Sequence, residues 1–129
     1  MPLVRIDLIE GRTDAEVRAL ADCVQQVMLD VFAAPERDRY QVIHEHKPGR
    51  IIAEDTGLGF ERTDGVVIIQ VTQQGRDEDQ KKALYRALAD RLEAQAGVRP
   101  EDLIVTVSAN TAADWSFGSG RAQFLEGDL

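Results

Sequence analysis

The stretch Leu3-Val4-Arg5-Ile6-Asp7-Leu8-Ile9-Glu10-Gly11-Arg12-Thr13-Asp14-Ala15-Glu16-Val17 decides the fold. From Leu3 to Leu8, polar Arg5 and Asp7 alternate with apolar neighbours, the pattern of a strand with one wet and one buried face. Gly11-Arg12 turns the chain, and Thr13 with Glu16 forms a Thr-x-x-Glu capping box that satisfies two otherwise orphaned backbone donors. Behind it Val17, Leu20, Ala21, Val24, Val27, Met28, Val31 and Phe32 recur at helical spacing, predicting one long amphipathic helix that ends near Ala33. Pro35 suits the first position of a short helical turn through Glu36-Arg37-Asp38, and Tyr40 to His46 reads as a second strand.

The same order then recurs. Val66 to Val71 is a near-continuous apolar run, expected to be a strand covered on both faces. Asp77 is the expected N-cap, Leu84, Ala87, Leu88, Leu92 and Ala96 mark the stripe of the next helix, and Gly97 closes it. Pro100-Glu101-Asp102 leads into a last strand, Leu103 to Val107. The chain is therefore read as a single α/β (α+β) domain over residues 1–129. Two tandem β-α-β halves, about 2–46 and 66–108, make up a four-stranded, mainly parallel-paired sheet with two helices on one face. Lys47 to Gly65 is a loop with a candidate short strand at Arg50 to Ala53. The tail, residues 110–129, shows no period, yet it holds Trp115, Phe117, Phe124 and Leu125 and must cover something apolar. Helices on a single face leave the other bare, so self-association is expected.

Composition narrows the function. A chain of 129 residues buries about two thirds of its unfolded surface and needs no disulfide or metal to fold. Fifteen Lys and Arg against 23 Asp and Glu give a net charge of −8, which argues against nucleic acid or an anionic membrane as partner. With a lone Cys23, no long apolar run and no signal-like start, a cytoplasmic location is expected.

Pro2 is the most informative position for chemistry. Removal of an initiator methionine before a small residue would leave proline as the first residue, a secondary amine that can act as base, acid or iminium-forming nucleophile. Taken alone, a proline after the initiator is also an ordinary feature. His44 and His46 share one strand face, but no Cys or carboxylate is seen to complete a metal site, so none is expected. Gly57-Leu58-Gly59 opens no helix and is not a dinucleotide fingerprint, and Cys23 lacks a His partner for thiol chemistry.

Met1-Pro2 opening into an alternating strand and a capped helix, in a tandem β-α-β chain, resembles the tautomerase superfamily. Further stretches resemble its malonate semialdehyde decarboxylase family. They are Asp7-Leu8-Ile9-Glu10-Gly11-Arg12-Thr13-Asp14, Asp38-Arg39-Tyr40-Gln41, Glu54-Asp55-Thr56-Gly57-Leu58-Gly59, Ala113-Asp114-Trp115-Ser116-Phe117-Gly118 and Phe124-Leu125-Glu126-Gly127-Asp128-Leu129. That resemblance implies Pro2 as the catalytic amine, Asp38 as its assistant, and an arginine pair after the third strand that holds the substrate carboxylate. This chain departs from the pair: it reads Gln74-Gly75-Arg76, with Arg76 kept as a bidentate anchor and Gln74 as a neutral donor. Without the resemblance, Arg76 reads as a solvated arginine ahead of a helix and Asp38 as a turn acid.

Trp115, Phe117, Phe124 and Leu129 resemble the apolar wall of the family's pocket, or else form a subunit seam, and Arg121 is a further candidate anion contact. The related cis-3-chloroacrylic acid dehalogenases carry a helix histidine and a tail glutamate where this chain has Leu29 and Trp115, which speaks against dehalogenation. The resemblance implies cofactor-independent decarboxylation of a short 3-oxo acid by a homotrimer. Tautomerase or hydratase action on a small 2-oxo or unsaturated acid, and an inactive assembly module, are the alternatives.

Overall fold

The computed structural model describes residues 2–129. Its order is β1 (Leu3–Ile9), α1 (Asp14–Val31), β2 (Tyr40–His46), β3 (Val67–Gln74), α2 (Glu78–Ala96), β4 (Leu103–Asn110) and a last short turn of helix, α3 (Gln123–Glu126). Pro100–Asp102 and Ala112–Asp114 form single 3-10 turns. No helix among the described residues is long and apolar enough to cross a membrane.

Local chemistry fixes the helix ends. The Thr13 hydroxyl accepts from the Glu16 N–H at 3.2 Å while the Glu16 carboxylate accepts from the Thr13 N–H at 2.9 Å, so the expected capping box is closed. Asp77 and Gln80 make the same reciprocal pair at α2. Gly97 ends that helix at φ +66, a left-handed conformation that a side chain would strain.

The strands lie in the order β2-β1-β3-β4. Each β-α-β half gives a parallel pair, β1 with β2 and β3 with β4, and the halves meet through the antiparallel pair β1–β3. Val4, Ile6 and Leu8 of β1 and Val67, Ile69 and Val71 of β3 point to the helix layer, where they meet Leu20, Val24, Val27 and Met28 of α1 and Leu84, Leu88 and Leu92 of α2. The architecture is the expected one: a four-stranded α+β sheet under two main helices.

Several local expectations are corrected. Pro35-Glu36-Arg37-Asp38 is not helical. It is one hydrogen-bonded turn, with the Asp38 N–H donating to the Pro35 carbonyl at 3.0 Å, because β2 starts too soon afterwards for a second helical bond. Arg50 to Ala53 forms no strand, having no partner edge among the described residues. The apolar run of β3 is covered on the helix face only, since Gln70 is exposed and Ile68 half-buried. The long connection before β3 is held instead by Asp102, a buried carboxylate that accepts from the Thr63 N–H at 2.7 Å.

The face away from the helices is not a bare apolar plane. Arg5 and Asp7 of β1 stand beside His44 and His46 of β2 at its centre, and the tail folds over one end.

Candidate active site

Strand register assembles the site. Leu3 lies between Tyr40 of β2 and Thr72 of β3, so the pairing carried back one residue sets Pro2 between Arg39 and Gln73. β1 begins where β3 ends, and each helix returns antiparallel to its strand. One end of the molecule therefore gathers Pro2, the turn with Asp38, Gln73 and Gln74 at the end of β3, the C-terminal end of α1 and the N-terminal end of α2 with Arg76. Residues 36 positions apart in sequence, Pro2 and Asp38, come to the same end of the sheet because α1 carries the chain back along β1.

Pro2 is buried. The expected loss of Met1 falls outside the described residues. Asp38 is half-buried, and its Oδ2 has no hydrogen-bond partner among the described residues. Burial holds its carboxyl above the ordinary value of 3.8, against the pull of the amino-terminal positive charge. A carboxylate in that setting favours a cation beside it.

Arg76 does more than the sequence shows. Its Nη2 and Nε donate to the Phe32 carbonyl at 2.9 and 3.2 Å, and Nη1 donates to the Gln74 and Gly75 carbonyls at 3.1 and 3.2 Å. Its guanidinium also sits 5.7 Å from the Phe32 ring centre. Phe32 caps the C-terminus of α1, so this cation lies at the negative end of the helix. The Nη2–H not used on Phe32 points to the Nη1 side of the guanidinium, so a bidentate grip on a carboxylate there draws on Nη1, which already serves the Gln74 and Gly75 carbonyls.

The apolar wall is a ring cluster. Phe117 stacks on Trp115 at 5.3 Å and on Tyr40 at 5.6 Å, and meets Phe124 edge-on at 5.6 Å. The Trp115 Nε1–H donates to Asn110 Oδ1 at 3.0 Å, fixing the indole at the end of β4. Tyr40 is the member that sequence reading missed; it pairs with Leu3, so the cluster covers the Pro2 end from the open face. Leu129 is 65% exposed and outside the cluster. Arg121 is committed to the tail itself, donating to both Asp128 carboxylate oxygens at 2.7 and 3.0 Å.

His44 and His46 do have a carboxylate neighbour, which corrects the reading from sequence. Asp7 lies in the adjacent strand, and its Oδ1 is 2.7 Å from His46 Nε2. The positive charge that this trio could attract is already present: Arg5 Nε donates to Asp7 Oδ2 at 2.9 Å, and its Nη2 donates to His44 Nδ1 at 3.1 Å. Gln73, also passed over in sequence, is 1% exposed, with neither amide atom partnered among the described residues.

Two family models, each described as "Tautomerase enzyme", match residues 38–118 and 2–61. The chain belongs to the tautomerase family. A curated relative, "Probable tautomerase YrdN" of Bacillus subtilis (strain 168), is 50% identical over 129 residues, covering 100% of both chains. A second from that organism, "Probable tautomerase YusQ", is 39% identical over 127 residues, 98% of this chain and 100% of the relative. Among solved structures, one of malonate semialdehyde decarboxylase superimposes with a TM-score of 0.94 at 46% identity, covering 98% of each chain. A structure of the FG41 malonate semialdehyde decarboxylase, inhibited by 3-bromopropiolate, gives 0.94 at 43% identity, covering 98% of this chain and 97% of that one. A fused 4-OT symmetric trimer shares the fold at a TM-score of 0.78 and 21% identity. This tautomerase-family chain thus has relatives under both descriptions, tautomerase and decarboxylase.

Proposed function

We propose that the protein decarboxylates malonate semialdehyde or a similar short 3-oxo acid without a metal or organic cofactor, using Pro2 as its amine. The observation that supports this reading most is the near full-length likeness to malonate semialdehyde decarboxylase, at 46% identity, together with Pro2, Asp38 and Arg76 at one end of the sheet.

The reaction needs an electron sink. When the bond between the carboxylate carbon and its neighbour breaks, carbon dioxide leaves and the electron pair moves toward the aldehyde oxygen. A protonated Pro2 would stabilise that developing enolate by a hydrogen bond. A neutral Pro2 would form an iminium, lose water, accept the pair as an enamine and be released by hydrolysis. One proton then adds to carbon, so the acid anion and a proton give acetaldehyde and carbon dioxide. Asp38, when ionised, would favour a cationic Pro2 beside it, and that cation would offset the cost of burying the carboxylate. The free Nη2–H of Arg76, with Gln74 as a neutral donor, would take the carboxylate. Trp115, Phe117 and Phe124 would make charge loss favourable by keeping that end dry.

A second reading rests on the relative named "Probable tautomerase" at 50% identity. Here Pro2 would move a proton in a small 2-oxo acid, or Asp38 would activate water for addition to an unsaturated one. Self-association as a homotrimer belongs to the proposal, supported by a trimeric neighbour of the same fold. Acetaldehyde production from malonate semialdehyde, measured beside phenylpyruvate ketonisation, separates the two reactions. No turnover in either assay, by protein whose mass shows Pro2 first, would leave the assembly module.

A further inference from the structure

We propose that Gln73 is a positioning residue for the amino-terminal amine, its Oε1 accepting a hydrogen bond from the Pro2 ring nitrogen once Met1 is gone.

The strand alternation comes first. Val67, Ile69 and Val71 of β3 are buried on the helix face, and Gln73 continues that row at 1% exposure. It is the polar end of an apolar row. Antiparallel pairing of Leu3 with Thr72 sets the next residues, Pro2 and Gln73, directly opposite, and Pro2 is in turn the buried continuation of the row Val4, Ile6 and Leu8. Opposed side chains in such a pair start about 5 Å apart. A buried carboxamide with neither end paired is rare and normally has a ligand or partner to meet.

The identity of the donor follows from covalent chemistry. While Met1 is attached, the Pro2 nitrogen is an amide without hydrogen and has nothing to donate. Removal of Met1 by hydrolysis converts it to a secondary amine with one N–H, or two when protonated. Gln73 faces this change from across the ladder, and its oxygen can accept where its neutral amide carries no competing charge. Asp38 Oδ2, also buried and without a partner among the described residues, supplies the charge when ionised, so the two groups divide orientation from electrostatics. The inference rests on the reading that Pro2 becomes the first residue, but not on which reaction follows.

Accepting from the ammonium favours its charged form, so Gln73 should raise the amine's pKa. The test is a substrate-free NMR titration of nitrogen-labelled proline at the N-terminus, in protein whose intact mass shows Met1 removed. Gln73→Leu and Gln73→Met are expected to lower the midpoint by about one pH unit, and Gln73→Glu to raise it by about as much. A merely structural role would change the melting temperature of all three without moving the midpoint in opposite directions. If Gln73→Leu fails to fold, the near-isosteric Gln73→Met and the charged Gln73→Glu decide. A midpoint unchanged in a folded variant, or Met1 still attached in the wild type, overturns the inference. A wild type that titrates as expected but releases no acetaldehyde sinks the proposed reaction and leaves this hydrogen bond standing.

Discussion

Arg76 grips the main-chain carbonyl of Phe32 with two of its nitrogens, Nη2 at 2.9 Å and Nε at 3.2 Å, tying the start of α2 to the end of α1. The residue proposed to hold a carboxylate is therefore also a structural clamp. Arg76→Lys should keep the charge but lose the fork, raising KM roughly tenfold with a small change in kcat and lowering stability by about 1 kcal/mol. Saturation kinetics beside thermal melts check this. A variant with altered melting and unchanged KM would mean that Arg76 only clamps.

Pro2→Ala replaces the secondary ring amine with a primary one, and decarboxylation is expected to fall by about 10²-fold or more. Borohydride added with substrate distinguishes the two roles of the amine. A reduced mass adduct on the N-terminal peptide supports the iminium, and its absence under full turnover supports the hydrogen bond.

Asp38 carries a pH dependence whose sign follows from its burial. Its folded pKa lies above the unfolded value of 3.8, so the folded state prefers the protonated acid. The stability it contributes is full below that value and is lost as pH rises through the folded pKa. In protein that keeps Met1, Asp38→Asn should thus gain stability relative to wild type at pH 7 and lose the advantage near pH 3, whereas in protein with Pro2 first the same change should lower activity about 10- to 100-fold. Denaturant melts at both pH values test the first part.

Asp7 has the opposite sign. Its hydrogen bonds from Arg5, then the bond with His46, hold its carboxyl below the ordinary range despite burial. That stability is present above the unfolded value of 3.8 and is lost as pH falls through the depressed folded pKa. Asp7→Asn is expected to cost about 1–2 kcal/mol at pH 7, and much less once wild-type Asp7 is protonated. Urea unfolding across that range gives the comparison.

Phe117 sits among Tyr40, Trp115 and Phe124, so its removal should loosen the whole tail. Phe117→Ala is expected to cost about 1–2 kcal/mol, below the cost at a fully buried site. Trypsin cleavage at Arg121 should accelerate. Tail protection equal to wild type would contradict the ring cluster as its anchor.

The sequence by itself determined the elements whose causes are local. Capping pairs Thr13–Glu16, the Asp77 N-cap, the Gly97 terminus and the two apolar periods act within a few residues, so they read directly. Pro2 stands out by the chemistry of an N-terminal secondary amine, while the proposed roles of Asp38 and Arg76 rest on resemblance to a family pattern. What only the tertiary structure decided is which residues meet across strands and helices. The antiparallel β1–β3 pairing faces Pro2 with Gln73, the parallel β1–β2 register brings Asp7 to His44, and helix return brings Arg76 to Phe32. Register depends on contacts between segments far apart in the chain, and a slip of one residue would turn each side chain to the other face. No local pattern carries that information.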